Sequence, residues 1–357
     1  MKLKKTYKYL DELYSGALNI TPKKEDKFVI FSDLHMGDGS SKDDFTRNAE
    51  LFSTVLSKYY LNNDFKLVLN GDVEELQRFS FKKIFNKWSD IYALFDQFHA
   101  RCGLIKTIGN HDLSWLDPNT AKSKYDVHDA VVLNFEKGDI FIFHGHQVDK
   151  KYQAHNRLVG YTLKYLANPL RIRNYSVAHD SRKQYAIEKK VYHYSAFKKK
   201  VSIIGHTHRP LFESLTKAER LINQIDNLCR EYAENLQKGE MERIFKTIKS
   251  HKKEIKRLVK KERSDMPKFS TGLLYNTLLH IPCLFNSGCA IGKRGITCLE
   301  ISHESISLIH WFDEKISKKY LNKRGYDPKQ LNGTIYYKVV LNVESLAYVF
   351  NRIHLLS

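Results

Sequence analysis

Thiol chemistry is the first thing this chain lacks. Its five cysteines (Cys102, Cys229, Cys283, Cys289, Cys298) are odd in number and form no Cys-x-x-Cys pair. That argues against a thiolate metal site or a disulfide framework, and for a reducing compartment. Long apolar runs are missing as well. No stretch approaches the ~18–20 apolar residues of a membrane-spanning helix. The basic start Met1-Lys2-Leu3-Lys4-Lys5 has no apolar h-region behind it. The expectation is a cytoplasmic protein with no integral membrane segment. Internal repeats and long low-complexity segments are absent too.

Acidic residues are in short supply. Forty Asp and Glu face 59 Lys and Arg over 357 residues, a formal charge of +19. Lys150 to Lys200 carries thirteen basic residues against Asp180 and Glu188, and Arg243 to Arg263 carries ten against Glu254 and Glu262. These stretches, at +11 and +8, hold the whole excess. Positive charge concentrated in this way attracts phosphate, nucleic acid or an anionic membrane surface. A solvated lysine-rich face is the plainer alternative.

What remains is globular in composition, 42% hydrophobic and 28% charged. Short apolar runs alternate with helical spacing, which gives an α/β class. Phe28–Phe31, Leu67–Leu69 and Leu104–Ile108 read as strands, with helices over Ser41–Tyr60 and Lys83–His99 between them. Val131–Phe135 and Ile140–Phe143 read as a hairpin, and Val201–Ile204, Ile296–Ile301 and Ile306–Phe312 as further strands. One domain is expected, with its core at about 25–148, 201–216 and 280–313. Residues 149–200 read as a helical cap, 217–263 as a basic helical hairpin broken at Gly239, and 314–357 as a C-terminal extension.

Metal-ligand residues fall at the ends of these runs: Asp33-Leu34-His35, Gly71-Asp72, Gly109-Asn110-His111-Asp112, His144-Gly145-His146 and Gly205-His206-Thr207-His208. Asp33 and His35, two apart beyond a strand, point to one side. A carboxylate with an imidazole suits a first-row divalent ion such as manganese, iron or zinc. Asp72 follows a glycine that admits close backbone approach, and its two oxygens can bridge two ions. Asn110 adds a neutral oxygen, and His144, His206 and His208 add imidazoles. Together the five runs point to an enzyme acting on phosphate esters.

This ordered set resembles the calcineurin-like metallophosphoesterase family, whose signature runs D-x-H, G-D, G-N-H-D/E, H and G-H-x-H. The resemblance covers roughly residues 28–210, and Asn286–Ile301 is similar to the family's closing strands. It implies a four-layer αββα sandwich of two mixed β-sheets with helical insertions. It also implies two divalent ions, manganese foremost, with iron or zinc as alternatives. Asp33, His35, Asp72 and His208 would hold one ion, and Asp72, Asn110, His144 and His206 the other. His111 with Asp112 matches the family's catalytic His–Asp pair, Asp112 fixing the tautomer of His111. Two such ions activate a bridging water and clamp the phosphoryl oxygens. His146 matches no ligand position, and Glu74 and Glu75 read as supporting or solvated.

A narrower likeness links Gly205–Pro210 and the Tyr/Arg-rich segment before it to the UDP-2,3-diacylglucosamine pyrophosphatase branch, with Asn168–Arg173 most like that branch's cap. The chain departs from it in reading His144-Gly145-His146 for H-G-D and in carrying the 217–263 hairpin. Arg171, Arg173, Arg182 and Arg209 are candidates to grip a diphosphate. The expected activity is hydrolysis of a phosphate ester or pyrophosphate bond, with a nucleotide-linked lipid or sugar diphosphate as substrate. A nuclease or cyclic-nucleotide phosphodiesterase is the enzymatic rival, and a non-catalytic binding scaffold the rival of another class.

Overall fold

Phe28 and Ile30 pack into one apolar cluster and Val29 and Phe31 into another, so strand β2 (Lys27–Phe31) is covered on both faces. The same alternation separates Val68 from Leu67 and Leu69 on β3 (Phe65–Asn70). In the computed structural model, which describes residues 2–116, 123–148, 181–233, 238–265 and 280–357, these strands form the centre of a sandwich.

The larger sheet has eight strands in the order β12-β13-β11-β10-β2-β3-β4-β5. Here β4 is Leu104–Thr107, β5 Val127–His128, β10 Ile296–Ile301, β11 Ser305–Asp313, β12 Lys329–Gln330 and β13 Tyr336–Ser345. The smaller has five in the order β1-β6-β7-β8-β9, with β1 Leu18–Ile20, β6 Val131–Phe135, β7 Gly138–Ile142, β8 Val201–Ile204 and β9 Leu284–Asn286. Both are mixed. Strands β2, β3, β4 and β5 run parallel, whereas β10, β11 and β13 pair antiparallel. In the smaller sheet β7, β8 and β9 run parallel, and β6 and β7 form the expected hairpin.

Helices close the sandwich on both sides. On the larger sheet lie α2 (Ala49–Val55), α3 (Phe81–Lys87) and α4 (Ser89–Arg101), whose Phe52, Ile84, Phe95 and Phe98 join Val29 and Leu67. On the smaller sheet lie α1 (Lys2–Ser15) and α5 (Ser181–Lys198), with Leu10, Ile187 and Val191 buried. The layers therefore run helix, sheet, sheet, helix, as the resemblance implies.

Local departures have physical causes. The span 41–60 is not one regular helix: α2 passes into a π turn over Leu56–Tyr60. The π turn brings the Tyr60 hydroxyl to Glu300 Oε1 at 2.9 Å, where it also accepts from Trp311 Nε1. The span 83–99 is two helices, broken where the Trp88 indole donates to Gly37 O at 2.9 Å. Two helices do form the basic hairpin, α6 (Lys217–Ala233) and α7 (Lys238–Asp265), but Gly239 falls in the first turn of α7 rather than between them. Ile244, Thr247 and His251 face inward, while Lys249, Lys252, Lys253, Lys256 and Arg257 are exposed or half-buried. Beyond Asp313 the chain adds β13, paired with β11 along Ser305–Asp313, and α8 (Leu346–Leu356). No helix among the described residues is long and apolar enough to cross a membrane.

Candidate metal centre

Six parallel strand ends converge between the sheets. Asp33 and His35 follow β2, Asp72 follows β3, and Asn110 and His111 follow β4. From the facing sheet, His144 follows β7, His206 and His208 follow β8, and Ser287 follows β9. The carboxyl ends of parallel strands are where an open α/β sheet places its ligands. Cross-sheet bonds fix the junction. Asn70 Nδ2 donates to Phe143 O at 3.1 Å, and Ser32 Oγ lies 2.8 Å from Ser287 Oγ.

Backbone strain marks the same residues. Asp33, His35, Asp72, His206 and His208 all have left-handed φ, between 49° and 62°. They make up five of the nine non-glycine residues in that region among those described. Such conformations cost energy and persist where the surroundings dictate them, commonly at functional sites. Glycine is needed beside them. A Cβ on Gly109 would collide with the Asp72 carboxylate and backbone nitrogen, and one on Gly205 would come within 2.6 Å of Asp33 Oδ2.

Among the described residues the side chains form three groups whose ligand atoms lie within 4.8 Å of one another: Asp33, His35 and His208; Asp72, His144 and His206; and His35, Glu75 and His111. Asp72 Oδ2 lies 3.8 Å from His35 Nε2 of the first group and 3.2 Å from His144 Nε2 of the second. His208 Nε2 is 3.0 Å from Asp33 Oδ1 and 3.1 Å from His35 Nε2. His144 Nδ1 binds Asn70 O at 2.8 Å, which turns Nε2 inward. Asn110 Oδ1, His144 Nε2 and His206 Nε2 are buried with no hydrogen-bond partner. Orphaned polar atoms of this kind are costly and rare in proteins. Two carboxylates and four imidazoles in two adjoining clusters, with a buried, unbonded amide oxygen on the neighbouring loop, fit divalent cations of the first transition row.

Electrostatics agree. Burial alone would lower the His144 pKa, but Asp72 and Asp33 outweigh it and lift it to about 9. Burial would raise Asp33, and His208 and His144 pull it to about 2. His206 differs, since burial and the charge on His144 take it down to about 3. His146, also buried, lies with its ring 5.5 Å from His144, and burial and the His144 charge push its pKa well down.

Two sequence expectations need correction. Asp112 does not touch the ring of His111. Its oxygens accept from Gly109 N at 2.6 Å and Val73 N at 2.9 Å, so it shapes the loop. The carboxylate on His111 is Glu75, with Oε1 at 2.8 Å from Nδ1, while Oε2 lies 3.1 Å from His35 Nδ1. Glu75 is buried, and one carboxylate orients two histidines. Arg209 is the second case. Its Nε donates at 3.2 Å to buried Glu188, whose Oε2 pairs with Nη2, so it does not stand open to a diphosphate. Glu188 also accepts from Thr207 Oγ1 at 2.9 Å, so α5 clamps the loop that bears His206 and His208. Arg182 is exposed on α5, more than one turn from Glu188, and Arg171 and Arg173 lie outside the described residues. Sequence reasoning also assigned no role to Cys289, which adds to the rise in the His208 pKa that Asp33 brings about against burial.

The sequence matches the calcineurin-like phosphoesterase family over residues 26–210, the span that holds all five motifs. The chain belongs to that family. Among solved structures it is similar to a conserved protein of Streptococcus pneumoniae TIGR4 described as a predicted phosphoesterase. The identity is 11%, over 79% of this chain and 87% of that one, with a TM-score of 0.29. It is also similar to a single-residue variant of Vps29 from Entamoeba histolytica, at 10% identity over 80% and 92% of the two chains and a TM-score of 0.33. No curated protein sequence matches the chain.

Proposed function

We propose that this chain hydrolyses a phosphate ester or pyrophosphate bond at a centre of two divalent ions that share Asp72. In this reading Asp33, His35, Asp72 and His208 hold one ion and Asp72, Asn110, His144 and His206 the other. The observation that carries it is the ligand group Asp72, His144 and His206 beside the group Asp33, His35 and His208, with Asp72 Oδ2 3.8 Å from His35 Nε2 and with Asn110 Oδ1, His144 Nε2 and His206 Nε2 buried and not hydrogen-bonded. When bound, such ions supply positive charge for the phosphoryl oxygens and lower the pKa of an attacking water.

The chain's own groups do the rest. Glu75 holds His111 at Nδ1, which leaves Nε2 to carry a proton toward the leaving oxygen. Although burial opposes it, Asp72 and Glu75 lift the His111 pKa to about 9 in the metal-free chain, and the Glu75 carboxylate favours the protonated ring. Asp112 holds Gly109 and Val73 together, which keeps Asn110 and His111 against Asp72. We take the substrate to be a nucleotide-linked lipid or sugar diphosphate and the metal to be manganese. The positive stretch from Lys150 to Lys200, next to the motif loop, supports an anionic substrate. Five unpaired cysteines support a cytoplasmic setting.

The test is release of p-nitrophenol from mono- and bis-p-nitrophenyl phosphate. Chelated protein should be inactive and Mn²⁺ should restore turnover. Metal-replete protein that cleaves neither compound, nor any member of a nucleotide and phosphometabolite panel, would refute the hydrolase and favour a binding scaffold. Cleavage of the diester and of single-stranded nucleic acid alone would move the substrate to nucleic acid.

A further inference from the structure

Arg220 is a largely buried cation that no carboxylate pairs with among the described residues. It sits in the first turn of α6, only 8% exposed, and its guanidinium makes no hydrogen bond or ion pair among the described residues. The carboxylates that act on it, Glu213 and Glu254, do so from beyond ion-pair distance. A guanidinium stays charged when largely buried, and one that faces a cavity with no paired carboxylate is suited to an anion from solution.

The group lines a cavity of about 420 Å³. The α6 wall consists of Arg220, Asn223, Gln224 and Asn227, the i, i+3, i+4, i+7 stripe of one helical face. A helix normally turns an apolar stripe toward the body it packs on. This stripe is wholly polar, running from buried Arg220 to Asn223 and Asn227, which are exposed and leave the cavity open to solvent. Gln224 Oε1 is buried and receives no hydrogen bond. Opposite stand Glu344 of β13 and Arg352 of α8. Arg352 is held in place, with Nε donating to His280 O at 3.1 Å. Burial, and then the charge on Glu344, push the Glu213 carboxyl on the cavity floor up to about 7, which lessens its competition with an incoming anion.

We propose that this cavity is a second binding site, for a small molecule that offers a phosphate or carboxylate to Arg220 and a hydroxyl or amine to Gln224 Oε1. The volume falls within the ~300–1,000 Å³ range of metabolite pockets. None of the candidate metal ligands lines it, so the site goes beyond the proposed hydrolysis. It abuts the same loop, however, since Glu213 follows His208 by five residues and, with Ser214, holds left-handed backbone at φ 51° and 62°.

Calorimetric titration of glycerol 3-phosphate, with inorganic phosphate as the second probe, into the chelator-treated full chain tests this. Saturable binding of either probe is expected, about tenfold or more weaker in Arg220→Gln and unchanged in Asp72→Asn. Asn227→Leu, at an exposed position on the cavity wall, should weaken it likewise and serves if Arg220→Gln does not fold. Binding that survives both substitutions overturns the proposal. Binding lost in Asp72→Asn instead would place the anion at the metal centre and overturn it too. Failure of wild type to bind either probe at about 10 mM would leave the cavity to water and overturn it as well.

Discussion

Glu75 touches both His35 and His111, which makes it the most informative single side chain to alter. Glu75→Gln keeps the shape but removes the charge that holds both rings. It should lower turnover or metal affinity about 10- to 100-fold, as loss of a partner behind a metal-ligating histidine does. Metal titration with turnover assays checks this, and an unchanged variant would contradict the assigned geometry. His111→Ala separates two roles. Turnover should fall about 10²- to 10⁴-fold while metal content stays near wild type. Loss of metal instead would make His111 structural. At this scale the sequence is legible where residue type and chemistry coincide. Asp33, His35 and His208 gather in one cluster and Asp72, His144 and His206 in another, while Asn110 Oδ1 is buried without a hydrogen bond. It is less legible where several carboxylates compete for one histidine. Asp112 is adjacent in sequence, but its backbone bonds turn it away from the ring, and Glu75 arrives from another strand end. Arg209 misleads for a similar reason, since its buried partner Glu188 lies one helix away in sequence.

The loop after β4 is the element with least tolerance. Gly109→Ala would place a methyl group on Asp72, and a well-packed site resists such insertion by about 1–3 kcal/mol or more. Lower thermal stability together with weakened metal binding is the expected outcome, and a variant with wild-type values of both would contradict the packing. The basic hairpin is anchored differently. Glu254 takes Lys217 at 2.5 Å and also pairs with Lys323, with Lys319 at 3.9 Å. Burial would raise its pKa, but Lys217 and Lys323 draw it down from 4.5 to about 2. A depressed carboxylate stabilises the fold above its ordinary pKa and loses that effect as pH falls toward 2. Glu254→Gln at neutral pH should therefore speed amide hydrogen exchange in α6 and α7 and leave β2 and β3 protected; unchanged exchange in the hairpin would contradict the anchor. Strands at this level are legible because short apolar runs end at polar motif residues. The final strand is not. Tyr336–Ser345 is long and mixed, with Val340 and Val343 exposed, and its pairing with β11 and β12 is what identifies it.

Across the whole molecule, the sandwich brings two parallel sets of strand ends face to face, and metal and proton compete for what they carry. In the metal-free chain His144 keeps its proton up to about pH 9, because Asp72 and Asp33 override the effect of burial. Metal uptake must displace that proton, so affinity should rise with pH toward 9 and protons should be released at neutral pH. Calorimetry in buffers of differing ionisation enthalpy would show this, and heats independent of buffer would contradict it. The fold class is legible because alternating strands and helices leave few arrangements. The placement of charge is not, since it depends on which carboxylates end up buried together. The most direct measurement is metal content by elemental analysis after loading and removal of excess ion. Two equivalents of divalent metal per chain, with both lost or severely weakened in Asp72→Ala, is the predicted result. A single ion unaffected by that substitution, or no bound metal at all, would contradict the shared-aspartate centre.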